Sequence, residues 1–227
     1  MATNLTQEES LILSKLSYMT FYDPNNKDND LGKARIGRSL TEIATEFYKV
    51  PPADPNIFGG YGALTNAEHN AMLKDIKDGK YPGLSNLVLK DYVNTNPPSE
   101  ALDTKANGMV AYAFADKNNP SNTYFAFRGS EGSPVGASKS QDIIGKTGAD
   151  WLDNLLLGAK DVSLQFSDAK AFVEKNRAAD GETFVTGHSK GAANAMYIIA
   201  AIDNIKGVVF DGPGIGQALT PEQIYRL

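Results

Sequence analysis

The sequence predicts an α/β protein whose central sheet is mostly parallel and carries flanking helices. Strand-like and helix-like segments alternate between residues 107 and 227, and such alternation is typical of crossover connections between parallel strands. Turns rich in glycine follow two of the strand-like segments, at residues 187–191 and 211–214. The residues before this part are mainly helical in pattern. We therefore expect a helical region over residues 1–104, packed as a cap or flank on an α/β core over residues 105–227.

The composition excludes several classes of function. The 227 residues carry a formal net charge of −5 and contain no cysteine. The acidic balance argues against a general nucleic-acid binder, and the lack of cysteine excludes disulfides and thiolate metal ligands. The N-terminal segment lacks the basic and apolar regions of a Sec signal peptide, and no apolar run reaches transmembrane length. These features fit the cytoplasm and, equally, export by a route that needs no N-terminal signal.

The N-terminal region shows three helical patterns. They cover residues 6–21, 40–48 and 65–77. Thr6 followed by Glu9 has the spacing of a capping box. His69 lies on the third pattern, where we expect an ordinary solvated histidine. Residues 23–30 are rich in oxygen-bearing side chains but lack EF-hand spacing, so a structural calcium ion there is an alternative without support. Residues 80–96 fit no single pattern.

Strand signals begin at residue 107. Residues 107–115 and 123–128 are typical of strands, and the turn residues between them predict a hairpin. Residues 129–148 form a long loop rich in glycine and serine, which is either a lid over a site or an ordinary surface loop. The remaining patterns are a helix at 162–177, a strand at 182–186, a helix at 192–201, a strand at 207–210 and a helix start at Pro221.

The segment around Ser189 has the pattern of a nucleophile elbow. Gly187, His188, Ser189, Lys190 and Gly191 form a G-x-S-x-G motif between an apolar, β-branched strand and a helix of small residues. In such an elbow the serine occupies strained backbone, and a side chain at either glycine would crowd the neighbouring strand and helix. The N–H groups and the dipole of the helix N-terminus then point at the reacting centre. The alternative is a plain glycine-bounded turn.

Three short segments follow one another along the chain: residues 125–130 (FAFRGS), 150–154 (DWLDN) and 185–191 (VTGHSKG). Together, in this order, they resemble the class 3 (fungal-type) lipase family of α/β-hydrolases and its bacterial lipase-like relatives. The resemblance covers roughly residues 105–216. It implies an α/β-hydrolase-type sheet, hydrolysis of a lipid-like carboxylic ester, and no requirement for a metal or organic cofactor.

The resemblance also implies roles for individual residues. Ser189 matches the nucleophile, and Ser130 matches the oxyanion residue at the end of an early strand. The backbone N–H groups of Ser130 and Lys190 would then donate to the oxyanion, where each donor is typically worth about 10²–10³ in rate. Trp151, the only tryptophan, matches a segment that is mainly structural in the family.

The sequence departs from the family pattern in its histidines. α/β-Hydrolases place the acid and then the histidine after the serine, whereas the only histidines here, His69 and His188, both precede Ser189. His188 is adjacent to the nucleophile and cannot act as its base, and the Lys190 side chain is expected to point away along the turn. Asp211 is a weak candidate for the acid, since the family acid would follow the next strand.

Two explanations of this departure remain open. The chain is either part of a longer protein that supplies the acid and the histidine, which we favour, or a protein that has lost its triad. A chain that lacked its last strands would expose a sheet edge and would associate through it with a partner chain or a second copy. The corresponding functions are ester hydrolysis and a catalytically incomplete module that binds a ligand or partner. Acyl transfer to an acceptor other than water would use the same residues.

Overall fold

The computed structural model describes residues 5–18, 35–48, 66–95, 109–129 and 165–227. Within these ranges the helices are α1 (Gln7–Leu16), α2 (Leu40–Phe47), α3 (Asn66–Lys77), α4 (Pro82–Ser85), α5 (Phe166–Asn176), α6 (Lys190–Ala201) and α7 (Pro221–Ile224). The strands are β1 (Leu87–Asn94), β2 (Val110–Asp116), β3 (Thr123–Phe127), β4 (Thr183–His188) and β5 (Ile205–Phe210). None of the helices in these ranges is long and apolar enough to cross a membrane. The architecture is an α/β fold.

The sheet is mixed, which corrects the prediction of a mostly parallel sheet. Its spatial order, β1 to β5, follows the order of the chain. β1, β2 and β3 pair antiparallel, whereas β3, β4 and β5 pair parallel. The short turn between β2 and β3 can join only antiparallel neighbours, so the predicted hairpin is confirmed. Helix α6 connects β4 to β5 as a crossover, and among the described strands the parallel pairs are β3 with β4 and β4 with β5.

Strand β1 lies in the stretch that no single sequence pattern described. It forms one edge of the sheet in the described part of the chain, and its pairing with β2 is shifted by a bulge between Leu89 and Asp91. The Asp91 carboxylate accepts hydrogen bonds from Lys175 Nζ at 2.8 Å and Asn176 Nδ2 at 2.9 Å on α5. The bulge and these polar contacts interrupt the alternation expected of a strand. The sheet therefore begins at Leu87, inside the region whose pattern is mainly helical.

Both faces of the sheet are covered by helices, which makes three layers. Tyr112 and Phe114 of β2 join the apolar cluster beneath α1, α2, α3 and α4. Ala111 and Ala113 alternate with them and face the cluster beneath α5 and α6. Successive side chains of a strand point to opposite faces, so a strand between two helical layers is apolar at almost every position. This burial explains the continuous apolar strands in the second half of the sequence.

The N-terminal helix is held by the predicted capping box. Glu9 N–H donates to Thr6 Oγ1 at 3.1 Å, and Thr6 N–H donates to Glu9 Oε2 at 2.9 Å. The other oxygen of the Glu9 carboxylate accepts from the buried N–H of Gly83 at 2.7 Å. A local cap therefore also binds α1 to α4.

His69 is buried, which corrects the expectation of a solvated histidine. His69 precedes Met72 by three residues, Leu73 by four and Ile76 by seven. This is helical spacing, and these four residues share the buried face of α3. His69 is 6% exposed, and burial lowers its pKa from 6.5 to about 4. The helical period places His69 on the apolar face, but the polar character of the residue obscured this in the sequence.

The burial of His69 predicts a specific loss of stability in acid. Between pH 6.5 and pH 4 the unfolded chain binds a proton at His69 that the folded chain does not bind. The contribution of His69 to stability is therefore complete above pH 6.5 and is lost as the pH falls, by a total of about 3 kcal/mol. The measurement is urea denaturation of the wild type and of His69→Leu between pH 4 and 7.5.

In His69→Leu the free energy of unfolding should depend less steeply on pH over this interval. The remaining slope reports the other titrating groups, which are the same in both proteins. Parallel curves for the two proteins would show that His69 is protonated in the folded state as readily as in the unfolded state.

Candidate active site at the end of strand β4

Ser189 makes the whole turn between a strand and a helix. β4 ends at His188 and α6 begins at Lys190, so a single residue reverses the chain. Ser189 has φ 56° and ψ −126°, which is a backbone conformation that residues with a side chain rarely adopt. Such a conformation costs roughly 1–3 kcal/mol and persists only where the surrounding structure holds it.

The two glycines of the motif are required by close packing. A Cβ atom at Gly187 would lie 2.2 Å from the carbonyl oxygen of Gly191. A Cβ atom at Gly191 would lie 2.1 Å from the carbonyl oxygen of Phe127, at the end of β3. Both obstacles are backbone atoms, which cannot rotate away. The first turn of α6 therefore rests directly on the ends of β3 and β4, as the sequence pattern predicted.

The N-terminus of α6 lies at the carboxyl end of the parallel strands. The N–H of Ser189 donates to the carbonyl of Phe210 at 2.9 Å, which binds the turn to the end of β5. The first helical turn begins at Lys190, and the N–H of Ala192 donates to the carbonyl of Ser189 at 2.9 Å. N–H groups at the start of a helix point out of its N-terminal end. The helix dipole adds a partial positive charge at this end. Lys190 is only 2% exposed, so its side chain is buried.

His188 contacts groups on both sides of its ring. Its Nδ1 lies 2.8 Å from Tyr18 Oη, and its Nε2 lies 3.5 Å from Asp211 Oδ2. No hydrogen bond joins His188 to Ser189 Oγ in the described part of the chain. The ring is therefore directed at Tyr18 and Asp211.

Asp211 occupies the turn that follows β5. Its φ of 51° lies in the left-handed region, and its carboxylate is 87% exposed. The carboxylate of a catalytic triad binds and orients the general base. The histidine that Asp211 faces is His188, which makes no hydrogen bond to Ser189 Oγ among the described residues. The structure thus brings together Ser189, Lys190, His188 and Asp211, whereas His69 lies on α3, which packs against α2.

Other predicted features lie outside the described residues. They are Ser130, Trp151, the 23–30 loop and all but the first residue of the 129–148 loop. Among the described residues, no group of three or more His, Asp or Glu side chains is arranged to hold a metal ion.

Tyr18 is the residue of this site that the sequence patterns missed. It follows the end of α1, and its hydroxyl reaches a histidine 170 positions further along the chain. No motif, period or spacing in the sequence links these two positions. Its proximity to the site is a consequence of the way α1 packs on the sheet.

Comparisons with known proteins give lipases as structural neighbours. No protein-family model matches the chain, and no curated protein does. Among solved structures, the chain is similar to M37 lipase, with a TM-score of 0.37, 15% identity, and coverage of 92% of this chain and 60% of that one. It is also similar to the extracellular lipase LipA from Serratia marcescens, with a TM-score of 0.33, 14% identity, and coverage of 87% and 35%. For Rhizomucor miehei lipase in its propeptide complex the TM-score is 0.33, the identity 13%, and the coverage 94% and 58%.

The chain spans at most 60% of the length of these three lipases.

The packing at Gly191 predicts that this position tolerates no side chain. In Gly191→Ala the new Cβ would lie 2.1 Å from the carbonyl oxygen of Phe127 and 2.8 Å from the carbonyl carbon of Arg128. Helix α6 must then move off β3, and we expect a loss of roughly 1–3 kcal/mol in the free energy of unfolding. Urea denaturation monitored by circular dichroism measures this loss.

Gly214→Ala is the matched control, because no atom lies within 4 Å of a Cβ atom at Gly214. This variant should be as stable as the wild type or slightly more stable. If Gly191→Ala and Gly214→Ala unfold at the same urea concentration, the close contact between α6 and β3 is absent in solution.

Proposed function

We propose that this chain carries the nucleophile of a serine hydrolase that cleaves carboxylic esters. The observation that supports the proposal most directly is the backbone of Ser189, with φ 56° and ψ −126° between β4 and α6. A nucleophile elbow uses a sharp, strained strand-to-helix turn of this kind to expose the serine hydroxyl. The position also fits, because ligands of open α/β sheets bind at the carboxyl ends of the strands.

The proposed reaction is the two-step hydrolysis of an ester through an acyl-enzyme. Its Oγ attacks the ester carbonyl while a histidine removes the hydroxyl proton, and the carbonyl oxygen becomes an oxyanion. Donors at the N-terminus of α6, with the Lys190 N–H first among them, would stabilise that charge together with the N–H of Ser130. The protonated histidine then gives its proton to the departing alcohol, and an acyl-enzyme is left. Water attacks this ester in the second half of the reaction and releases the acid.

We further propose that the catalytic histidine and its acid come from polypeptide outside these 227 residues. His188 faces Tyr18 and Asp211, and His69 is buried on α3. Neither histidine hydrogen-bonds to Ser189 Oγ among the described residues. The preference for lipid-like esters comes from the resemblance of three segments to class 3 lipases, and it is the least direct part of the proposal.

The second candidate function is a binding module without catalysis. It is favoured by the same observation, that neither histidine hydrogen-bonds to Ser189 Oγ among the described residues. In such a module the carboxyl end of the sheet would hold a ligand or partner, and Ser189 would have no nucleophilic role.

Labelling with a fluorophosphonate separates the two candidates. In the protein from its natural source we expect one phosphonyl adduct, located on Ser189, and turnover of aryl and lipid esters. Ser189→Ala should lose the adduct and more than about a thousandfold in kcat. Its melting temperature should stay close to that of the wild type, because alanine occupies the same backbone without removing a hydrogen bond of the side chain. Intact-mass spectrometry and ester turnover are the measurements.

Ser167→Ala is the control, since Ser167 lies exposed on α5. It should label and turn over like the wild type. An intact mass near 24.4 kDa with no adduct and no turnover would reject the hydrolase and favour the binding module. Activity near the wild-type level in Ser189→Ala would remove Ser189 from the mechanism.

A further inference from the structure

We infer that Tyr18 is a positioning residue of the candidate active site. Its phenol oxygen contacts both the residue before Ser189 and the segment that leaves β3, and we infer that these contacts hold the two in register. The inference rests on the proposed function of Ser189, and it concerns a residue on a different element from any in the G-x-S-x-G motif.

Tyr18 is held in place by the packing of α1. The helix lies against β3, β4 and β5, and the buried Thr186 Oγ1 of β4 donates to the carbonyl of Ser10 at 3.2 Å. The N–H of Tyr18 donates to the carbonyl of Lys15 at 3.1 Å, which continues the last turn of α1. The backbone that carries the phenol is thus bound both to its own helix and, through that helix, to the strand that ends before Ser189.

The phenol oxygen meets two backbone segments at once. It lies 2.8 Å from Nδ1 and 3.5 Å from the carbonyl oxygen of His188, the residue before Ser189. A Cβ atom at Gly129 would lie 2.0 Å from the same phenol oxygen and 2.7 Å from the His188 carbonyl oxygen. The phenol therefore fills the space that a side chain at Gly129 would occupy, and it contacts the chain both where it leaves β3 and where it leaves β4.

Asp211 completes the arrangement on the far side of the His188 ring. Its carboxylate lies 3.5 Å from Nε2 and favours a proton on that nitrogen. Nδ1 is then an acceptor, and the O–H of Tyr18 donates to it. Edge-to-face contact between the two rings, with centroids 5.8 Å apart, adds to this fixation. The His188 ring is thus held between α1 and the turn after β5.

The contacts of Tyr18 with these two backbone segments matter because of the residues that follow each segment in the sequence. Gly129 precedes Ser130, and His188 precedes Ser189 and Lys190. The proposed oxyanion donors and the nucleophile therefore follow the two segments that Tyr18 contacts. A displacement of about 1 Å in such groups can cost about 10²-fold in rate. Tyr18 itself has no role with the reacting atoms.

The test is Tyr18→Phe in the full-length natural protein. The variant keeps the ring and removes the hydrogen bond to Nδ1. We expect kcat and the rate of fluorophosphonate labelling to fall by roughly 10- to 100-fold, with KM changed by less than about twofold. Tyr225→Phe is the control, since Tyr225 is 94% exposed, and it should match the wild type. Activities are compared at equal folded fraction, which removes any effect of stability alone.

A second variant acts on the same contact from the other side. Gly129→Ala should displace the phenol and lower kcat, and the double variant with Tyr18→Phe should lose less than the product of the two separate losses. Independent losses that multiply would contradict a shared contact. Gly129→Ala also tests the inference if Tyr18→Phe does not fold.

The imidazole spectrum gives a readout that does not depend on activity. The sequence contains two histidines, so ¹⁵N spectra resolve His188 from His69, and His69→Leu assigns them. The wild type should show the Nε2–H form of His188, and Tyr18→Phe should shift its Nδ1 signal. If the wild type is active and Tyr18→Phe has an unchanged kcat or an unchanged Nδ1 signal, the inference about Tyr18 is wrong. The proposed function of Ser189 is not affected by that result. A wild type without labelling or turnover rejects the proposed function, and catalytic positioning with it.

Discussion

The close contact between the first turn of α6 and the end of β3 is the constraint on which the rest of the site depends. No side chain separates the two, because a Cβ atom at Gly191 would lie 2.1 Å from the carbonyl oxygen of Phe127. The helix therefore begins immediately above the carboxyl end of the parallel strands, and only Ser189 remains to connect it to β4. The unfavourable φ of this residue is a direct consequence of that short distance. Its N–H is satisfied by the carbonyl of Phe210, so the strain is not increased by a lost hydrogen bond.

The N-terminal helices belong to the framework of the site. α1 packs on the three parallel strands, and its hydrogen bond from Thr186 to Ser10 is buried between helix and sheet. The same helix ends beside His188 and Gly129, where the chain leaves β4 and β3. The helical layer under the sheet therefore determines the geometry on one side of the turn, while α6 determines it on the other.

Sequence patterns predicted the elements of this fold better than their arrangement. The hairpin of β2 and β3, the strand–turn–helix around Ser189 and the capping box at Thr6 were all evident, since each depends on residues a few positions apart. β1 was not evident, because its bulge and its polar contacts with α5 interrupt the alternation. The antiparallel pairing at this edge was missed with it. The burial of His69 is not evident from its residue type, because a polar residue at a helical position is more often solvated, and only the helical period places it on the buried face of α3.

The sequence by itself determined the local chemistry of this protein: a serine between two glycines, a strand before it and a helix after it. These features depend on sterics and hydrogen bonds within a few residues, which composition and spacing express directly. Only the tertiary structure decided that the sheet is mixed, that His188 lies between Tyr18 and Asp211, and that Gly129 makes room for a phenol oxygen. These contacts join residues as many as 170 positions apart, and they exist only because helices bury their apolar faces on both sides of one sheet.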